Sequence, residues 1–265
     1  MMLKELLLLA CELALGAGKE ILKVYETDFN VDVKDDNSPL TLADENSHRL
    51  ILSGLSQTGY PVMSEEGLET EYEVRKQWTR YWCVDPLDGT REFVKKNGEF
   101  TVNIALIENN SPILGVIYVP VQDLLYAAVD HELYRIEKAS GKDLAQDGDL
   151  DRFRIMPAKP KKSGTRLRVL ASRSHLSRET RAYLAELENT FPEMEFFSAG
   201  SALKFGLLAE GKADLYPRFS PCMEWDTAAG HALLKTAGKN IFLYPSGKEL
   251  SYNKKNLVND WFIAR

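Results

Sequence analysis

Two aspartates three positions apart, Asp85 and Asp88, close the short apolar run Trp82-Cys83-Val84 and are followed at once by Gly89 and Thr90. The run predicts a strand, and Asp-Pro-Leu-Asp-Gly-Thr predicts a turn at its end, where a rigid scaffold can hold side chains in place. Two other acidic positions stand far from it, Glu65/Glu66 upstream and Asp226 downstream. Glu65, Asp85, Asp88 and Asp226 are all oxygen donors with no accompanying His or Cys cluster. This pattern favours Mg²⁺, with Mn²⁺ as the alternative, over Zn²⁺. Two or more such ions can activate a water and stabilise the leaving oxygen of a phosphoryl transfer. Pro86 stiffens the turn, the Leu87 carbonyl is a further candidate ligand, and backbone N–H groups from Gly89 and Thr90 onward can receive a phosphate. Each position also has a plainer reading: an Asx-turn and helix cap for Asp85 and Asp88, a helix N-cap for Asp226, a solvated loop for Glu65 and Glu66.

Bringing these positions together is the task of the elements between them. Apolar spacing predicts a helix over residues 3–25 and another over about 42–56, with Thr41 or Asp44 as its cap. Residues 62–64 read as a strand leading into Glu65, and 68–78 as a charged, mobile loop. Strands follow at 81–84, 100–107, 113–119 and 124–129, and residues 142–151 are polar and turn-like. Residues 157–164, Pro-Ala-Lys-Pro-Lys-Lys-Ser-Gly, are the best linker. They divide an α+β metal-binding subdomain, 1–160, from an α/β substrate-selectivity subdomain, 161–265. In the latter, strands at 167–170, 195–197 and 213–216 alternate with helices at 178–187, 202–210 and 227–237, the last starting right after Asp226.

Composition narrows the class. The chain has 265 residues, 44% hydrophobic and 27% charged, as in ordinary globular proteins. A net charge of −6 argues against a nucleic-acid partner but leaves room for a small phosphorylated substrate held by a local basic cluster. Three scattered cysteines without a CxxC pair exclude a zinc ribbon or disulfide framework and fit a reducing, cytoplasmic setting. The leucine-rich start is interrupted by Glu5 and Glu12, so it is a poor signal peptide and too charged to span a membrane. It reads as a core helix, with a weak peripheral membrane contact through Leu6 to Leu9 as the alternative.

Asp85-Pro86-Leu87-Asp88-Gly89-Thr90 and Trp225-Asp226-Thr227-Ala228-Ala229-Gly230, with Ser64-Glu65-Glu66 ahead of them, resemble the signature motifs of the inositol monophosphatase-like phosphatases. Within that superfamily, residues 37–41, 81–106, 171–175, 200–205 and 215–219 are most similar to the CysQ-type 3′(2′),5′-bisphosphate nucleotidases. The resemblance implies a layered α/β/α/β/α sandwich. It also implies magnesium-dependent hydrolysis of 3′-phosphoadenosine 5′-phosphate to AMP and phosphate, in support of sulfur assimilation. Inositol monophosphatase or sugar-bisphosphatase activity, or a non-catalytic nucleotide-binding regulator, are the alternatives.

Carried onto this chain, the metal ligands are Glu65, Asp85, the Leu87 carbonyl, Asp88 and Asp226. The catalytic set is Asp36, Thr90 and Glu65, of which Asp36 and Thr90 orient and deprotonate the attacking water. Gly89 and Thr90 cradle the scissile phosphate. Ser201 and Lys204, three apart at a helix start, face one side and seat the non-reacting phosphate. Arg218 and His175 are further phosphate or adenine contacts. Solvated charge for Lys204 and Arg218, and a turn histidine for His175, are their plainer readings; His48, His131 and His231 are read as structural. Ala202 stands where relatives often carry a second Ser, and the Pro221-Cys222-Met223-Glu224 segment is also unusual, so both bear on substrate choice. The resemblance further implies lithium sensitivity and a peripheral place on the cytoplasmic face of the inner membrane, and it leaves a monomer or a homodimer open.

Overall fold

The computed structural model describes residues 1–27, 42–67, 70–144, 150–155, 166–171 and 177–265. In chain order its elements are α1 (Leu3–Tyr25), α2 (Leu42–Leu55), β1 (Val62–Ser64), α3 (Tyr72–Arg75), β2 (Arg80–Asp88), α4 (Thr90–Val94), β3 (Thr101–Glu108), β4 (Ser111–Val119), β5 (Leu124–Val129), β6 (Glu132–Glu137) and β7 (Arg154–Ile155). They continue with β8 (Arg166–Leu170), α5 (Arg178–Glu188), β9 (Glu193–Phe197), α6 (Leu203–Ala209), β10 (Tyr216–Arg218), β11 (Cys222–Met223), α7 (Glu224–Thr236), β12 (Ile241–Leu243), β13 (Val258–Asn259) and β14 (Phe262–Ala264).

The main sheet runs β1-β2-β3-β4-β5-β6-β7 in order, parallel between β1 and β2 and antiparallel elsewhere. Its central strands are apolar on both faces. Successive residues of a strand point to opposite sides, and β2 sends Trp82 and Val84 toward α1 and α2, but Tyr81 and Cys83 toward α6 and α7. Beyond α6 and α7 lie the antiparallel β10-β14-β12 sheet and the parallel β8–β9 pair. The outermost layer is α5, whose Tyr183 and Leu184 pack on Leu167, Val169 and Ile263. The order is therefore helix, sheet, helix, sheet, helix, as expected. The second half meets its α/β expectation through β8-α5-β9, while β10, β12 and β14 add antiparallel pairing.

Several local expectations are corrected. The stretch expected as a mobile loop carries the short helix α3, whose Arg75 is buried against the distant Asn253–Lys255 loop. No local pattern announces a partner so far along the chain. The strand read as 81–84 continues to Asp88 because the turn residues still pair with β3. The strand expected at 213–216 is shifted to β10, with Leu215 making only a bridge to Val169. Helix α7 begins at Glu224 rather than after Asp226. Strands β6 and β7 went unread, their charged residues hiding the alternation.

Leu6 and Leu7 of α1 are fully buried against the sheet, so half of the leucine run proposed for membrane contact is spent in the core. No helix among the described residues is long and apolar enough to cross a membrane. Cys11, Cys83 and Cys222 are free thiols, all buried. The expected linker at 157–164 and the boundary at 160 lie outside the described residues.

Close packing of α7 on β4 depends on Gly115. A Cβ there would sit 2.4 Å from the Ala229 carbonyl oxygen and 2.8 Å from the Ala232 Cβ. Gly115→Val is expected to cost about 1–3 kcal/mol by overpacking, read as a lower urea midpoint with an unchanged slope. An unchanged midpoint would show that this contact does not constrain the fold.

Candidate active site

Residues i and i+3 of a regular strand point to opposite faces, so Asp85 and Asp88 should diverge. They do not, because β2 is bulged between them. Asp85 pairs with Asn103 and Asp88 with Thr101, three steps on one strand against two on the other. The extra residue restores a common face, and Pro86, which has no N–H to lose, sits inside the irregularity. The turn is fastened from three directions. Asp85 Oδ1 accepts from the Leu87 N–H at 3.1 Å. Ser47 Oγ of α2 donates to the Pro86 carbonyl at 2.7 Å, and Ser201 Oγ donates to the Asp88 carbonyl at 2.9 Å. Gly89 follows at φ +94°, a conformation that favours glycine, and a Cβ on it would lie 2.1 Å from Ser201 Oγ.

Asp226 arrives from the first turn of α7, where its Oδ2 accepts the Met223 N–H at 2.9 Å. One oxygen each from Asp85, Asp88 and Asp226 lie within 4.8 Å of one another. Glu65 reaches the same place from the end of β1. Its N–H donates to the Val84 carbonyl at 3.2 Å, and its carboxyl shares a hydrogen bond with Asp85. Asp88 Oδ2 accepts from Asn103 Nδ2 at 3.3 Å.

This crowding raises every carboxyl. Burial holds Asp85 well above the usual range, with Asp88, Glu65 and Asp226 adding repulsion. Burial and the Asp88 charge push Asp226 up to about 7. Burial also raises Glu65 and Asp88, the latter opposed by the positive charges of Lys204 and Arg218. An oxygen-only, anionic and rigidly held donor set fits a hard divalent cation.

The remaining expected residues divide. Thr90 opens α4 directly after the turn. Lys204 and Arg218 line an adjoining cavity of about 250 Å³ together with Leu170, Thr180, Tyr216 and Phe219. Lys204 Nζ donates to the Ala199 and Ser201 carbonyls at 2.9 and 3.0 Å and lies 5.5 Å from the Tyr216 ring centre. Arg218 Nη1 donates to Tyr216 OH at 3.2 Å, while its buried Nε has no hydrogen-bond partner. Ser201 makes a contact that its spacing does not announce. It precedes α6 at φ +47°, its hydroxyl donates to the Asp88 carbonyl, and its own carbonyl accepts from Lys204. Asp36 and His175 lie outside the described residues. His231 is packed between Tyr252 and Asn240, and burial lowers it to about 4.

Asp44 was read only as a cap. It is 4% exposed, hydrogen-bonded to Glu66, and pushed up to about 8 by burial and by the Glu66 and Glu65 charges. The available signal was its place on the buried face of α2 with Ser47, Ile51 and Leu55, at helical spacing.

The raised carboxyls set a pH dependence. A group whose folded pKa exceeds its unfolded value favours the folded state at low pH and loses that advantage as pH rises through the folded pKa. With chelator present, Asp226 and its neighbours should make the melting temperature fall from pH 5 to pH 8, and Asp226→Asn should flatten that slope. Saturating Mg²⁺ should flatten it as well. A cation-free protein with no such fall would contradict the electrostatic account.

The family model for the inositol monophosphatase family matches residues 2–261. The 3′(2′),5′-bisphosphate nucleotidase CysQ of Escherichia coli K12 is 44% identical over 257 residues, covering 95% of this chain and 96% of that protein. Among solved structures, CysQ from Bacteroides thetaiotaomicron superposes with a TM-score of 0.86 at 45% identity, covering 97% of this chain and 95% of that one. An inositol monophosphatase from Staphylococcus aureus shares the fold, with a TM-score of 0.72 at 20% identity over 97% of this chain and 89% of its own. With both motifs gathered at one site and the match running nearly end to end, this chain belongs to the inositol monophosphatase family.

Proposed function

We propose that this protein is a magnesium-dependent phosphatase that hydrolyses the 3′-phosphate of adenosine 3′,5′-bisphosphate, releasing AMP and phosphate. The observation that carries the reading is the pairing of two unlike sites. A cluster of three aspartates opens beside a cavity lined by Lys204, Arg218 and aromatic side chains. A compact monophosphate uses the first alone; a nucleotide bisphosphate uses both. The similarity to bisphosphate nucleotidases over 95% of the chain supports the same choice. Removing a by-product of sulfation in this way serves sulfur assimilation.

Glu65, Asp85, Asp88, Asp226 and the Leu87 carbonyl are assigned to hold two or more Mg²⁺ ions. When bound, these supply Lewis-acid polarisation of the phosphate oxygens and a water of lowered pKa. Thr90 and Asp36 orient the attacking water, and a modest base suffices for its proton. The bare Cα of Gly89 lets the scissile phosphate approach the backbone. Lys204, Arg218 and His175 hold the nucleoside and its 5′-phosphate, so the 3′-ester is the one presented to the carboxylates. Ser201 contributes by fixing the Asp88 carbonyl, and AMP, which lacks the 3′-phosphate, leaves as product.

Phosphate release should be measured with Mg²⁺ from adenosine 3′,5′-bisphosphate, AMP, inositol 1-phosphate and fructose 1,6-bisphosphate. Strong preference for the first, with AMP left intact, is expected; preference for inositol 1-phosphate would overturn the nucleotide assignment. Asp85→Asn should lower the rate by more than the roughly 10- to 100-fold that loss of a supporting residue costs at a metal site. Millimolar lithium should inhibit, since the carboxylates suit small hard cations; full activity in its presence would sink that expectation.

A further inference from the structure

Glu65 and Asp226 approach the site on segments distant in sequence, and a run of hydrogen bonds ties α3, whose Arg75 lines one cavity with Glu65, Met223 and Trp225, to the start of α7. Arg75, in the stretch that follows Glu65, is only 5% exposed. Its Nη1 donates to Asn253 Oδ1 at 2.9 Å and the Lys254 carbonyl at 2.7 Å, and its Nη2 to the Lys255 carbonyl at 2.9 Å. Asn253 Nδ2 returns a bond to the Arg75 carbonyl at 2.7 Å. The same loop is gripped from its other side by the fully buried Glu224. Glu224 Oε2 accepts the Asn253 N–H at 2.7 Å, and its Oε1 accepts the Lys254 N–H at 2.9 Å and Lys254 Nζ at 2.7 Å. Lys254 Nζ also reaches Asn259 Oδ1 at 3.0 Å, and Asn259 Nδ2 donates to the Met223 carbonyl at 2.8 Å. Glu224 and Met223 flank the start of α7, which carries Asp226 in its first turn.

Buried, hydrogen-bonded ions seldom outperform apolar packing in stability, but they can impose one arrangement. Here the arrangement imposed is the placement of α3 against the 253–255 loop and the first turn of α7, on the cavity that Glu65 also lines. We propose that Arg75, Asn253, Lys254 and Glu224 form a clamp that positions Glu65 and Asp226 for cation binding. Among the described residues none of the four is hydrogen-bonded to the Glu65 or Asp226 carboxyl; they act through the segments that carry those carboxylates. The proposal rests on the reading of those carboxylates as metal ligands. Groups hydrogen-bonded directly to metal ligands typically control affinity by about 10- to 100-fold, and a clamp one step further out belongs at the lower end of that range.

The test is Mn²⁺ binding by calorimetry on the intact protein, beside the Mg²⁺ dependence of phosphate release. Glu224→Gln keeps the shape but turns one acceptor into an NH₂ facing an N–H donor. Arg75→Lys keeps the charge but cannot fork to three acceptors. Each should raise the Mn²⁺ dissociation constant about tenfold, with the rate recovered at high Mg²⁺ and the KM for nucleotide unchanged. Arg168→Met, which breaks the ion pair with Asp214, serves as a control that lowers Tm without moving Mn²⁺ affinity. Wild-type affinity in folded Glu224→Gln and Arg75→Lys, or an equal loss in Arg168→Met, would overturn the clamp. If a core variant does not fold, Lys254→Met removes the ammonium from Glu224 while keeping the backbone N–H bond to it: weakened binding supports the clamp and unchanged binding overturns it. A wild-type protein that binds no Mn²⁺ would instead overturn the metal reading beneath it.

Discussion

Negative charge packed into a buried space is the condition the rest of this molecule is arranged around. Charges 4.8 Å apart at an effective dielectric constant of about 20 repel by on the order of 3 kcal/mol per pair. A hydrogen bond to a charged group contributes about 1.5–3 kcal/mol net, so the bonds from Leu87 N–H, Met223 N–H and Asn103 fall short of the roughly 10 kcal/mol by which three such pairs repel. The carboxyls respond by retaining protons well above their ordinary range, and a hard cation relieves the same repulsion. A flexible turn would splay under that load.

Rigidity comes from the main sheet. Strand β2 lies between β1 and β3, with apolar side chains buried on both faces. Fully burying each such side chain is worth about 1.5–3 kcal/mol, and this anchors the strand whose end carries Asp85 and Asp88. One bulge then does the chemical work of turning two opposed carboxylates to one side. Contacts from α2 through Ser47 and from the loop before α6 through Ser201 close the turn from two directions. Those two hydroxyls join layers on opposite faces of the sheet at a single peptide segment, so the first and second halves of the chain meet at the site.

The basic cavity beside the carboxylates has a different logic. Lys204 is folded onto two carbonyls and the Tyr216 ring, and Arg218 leans on the Tyr216 hydroxyl. Both cations are preorganised and already moderate Asp88. A site that places fixed positive charge next to clustered negative charge discriminates by shape of charge, with little need for bulk electrostatics in a chain of net charge −6.

Much of this was legible in the residues alone. Apolar periodicity located α1, α2 and most central strands, because a helix face and a strand face repeat locally. The Asp-Pro-Leu-Asp-Gly-Thr and Trp-Asp-Thr-Ala-Ala-Gly segments marked Asp85, Asp88 and Asp226, since oxygen donors without sulfur or imidazole admit few chemistries. What the sequence could not reveal depends on partners far along the chain. Asp44 reads as a cap until α2 is docked on β2 and its carboxyl meets Glu66. Ser201 reads as part of a phosphate seat, and nothing local shows that its hydroxyl also fastens the Asp88 carbonyl. Arg75 reads as loop charge until residues 253–255 fold over it. Residue type and spacing determined which chemistry this protein could hold; only the tertiary structure decided which side chains share that space, because burial and charge repulsion act through distance in space and not along the chain.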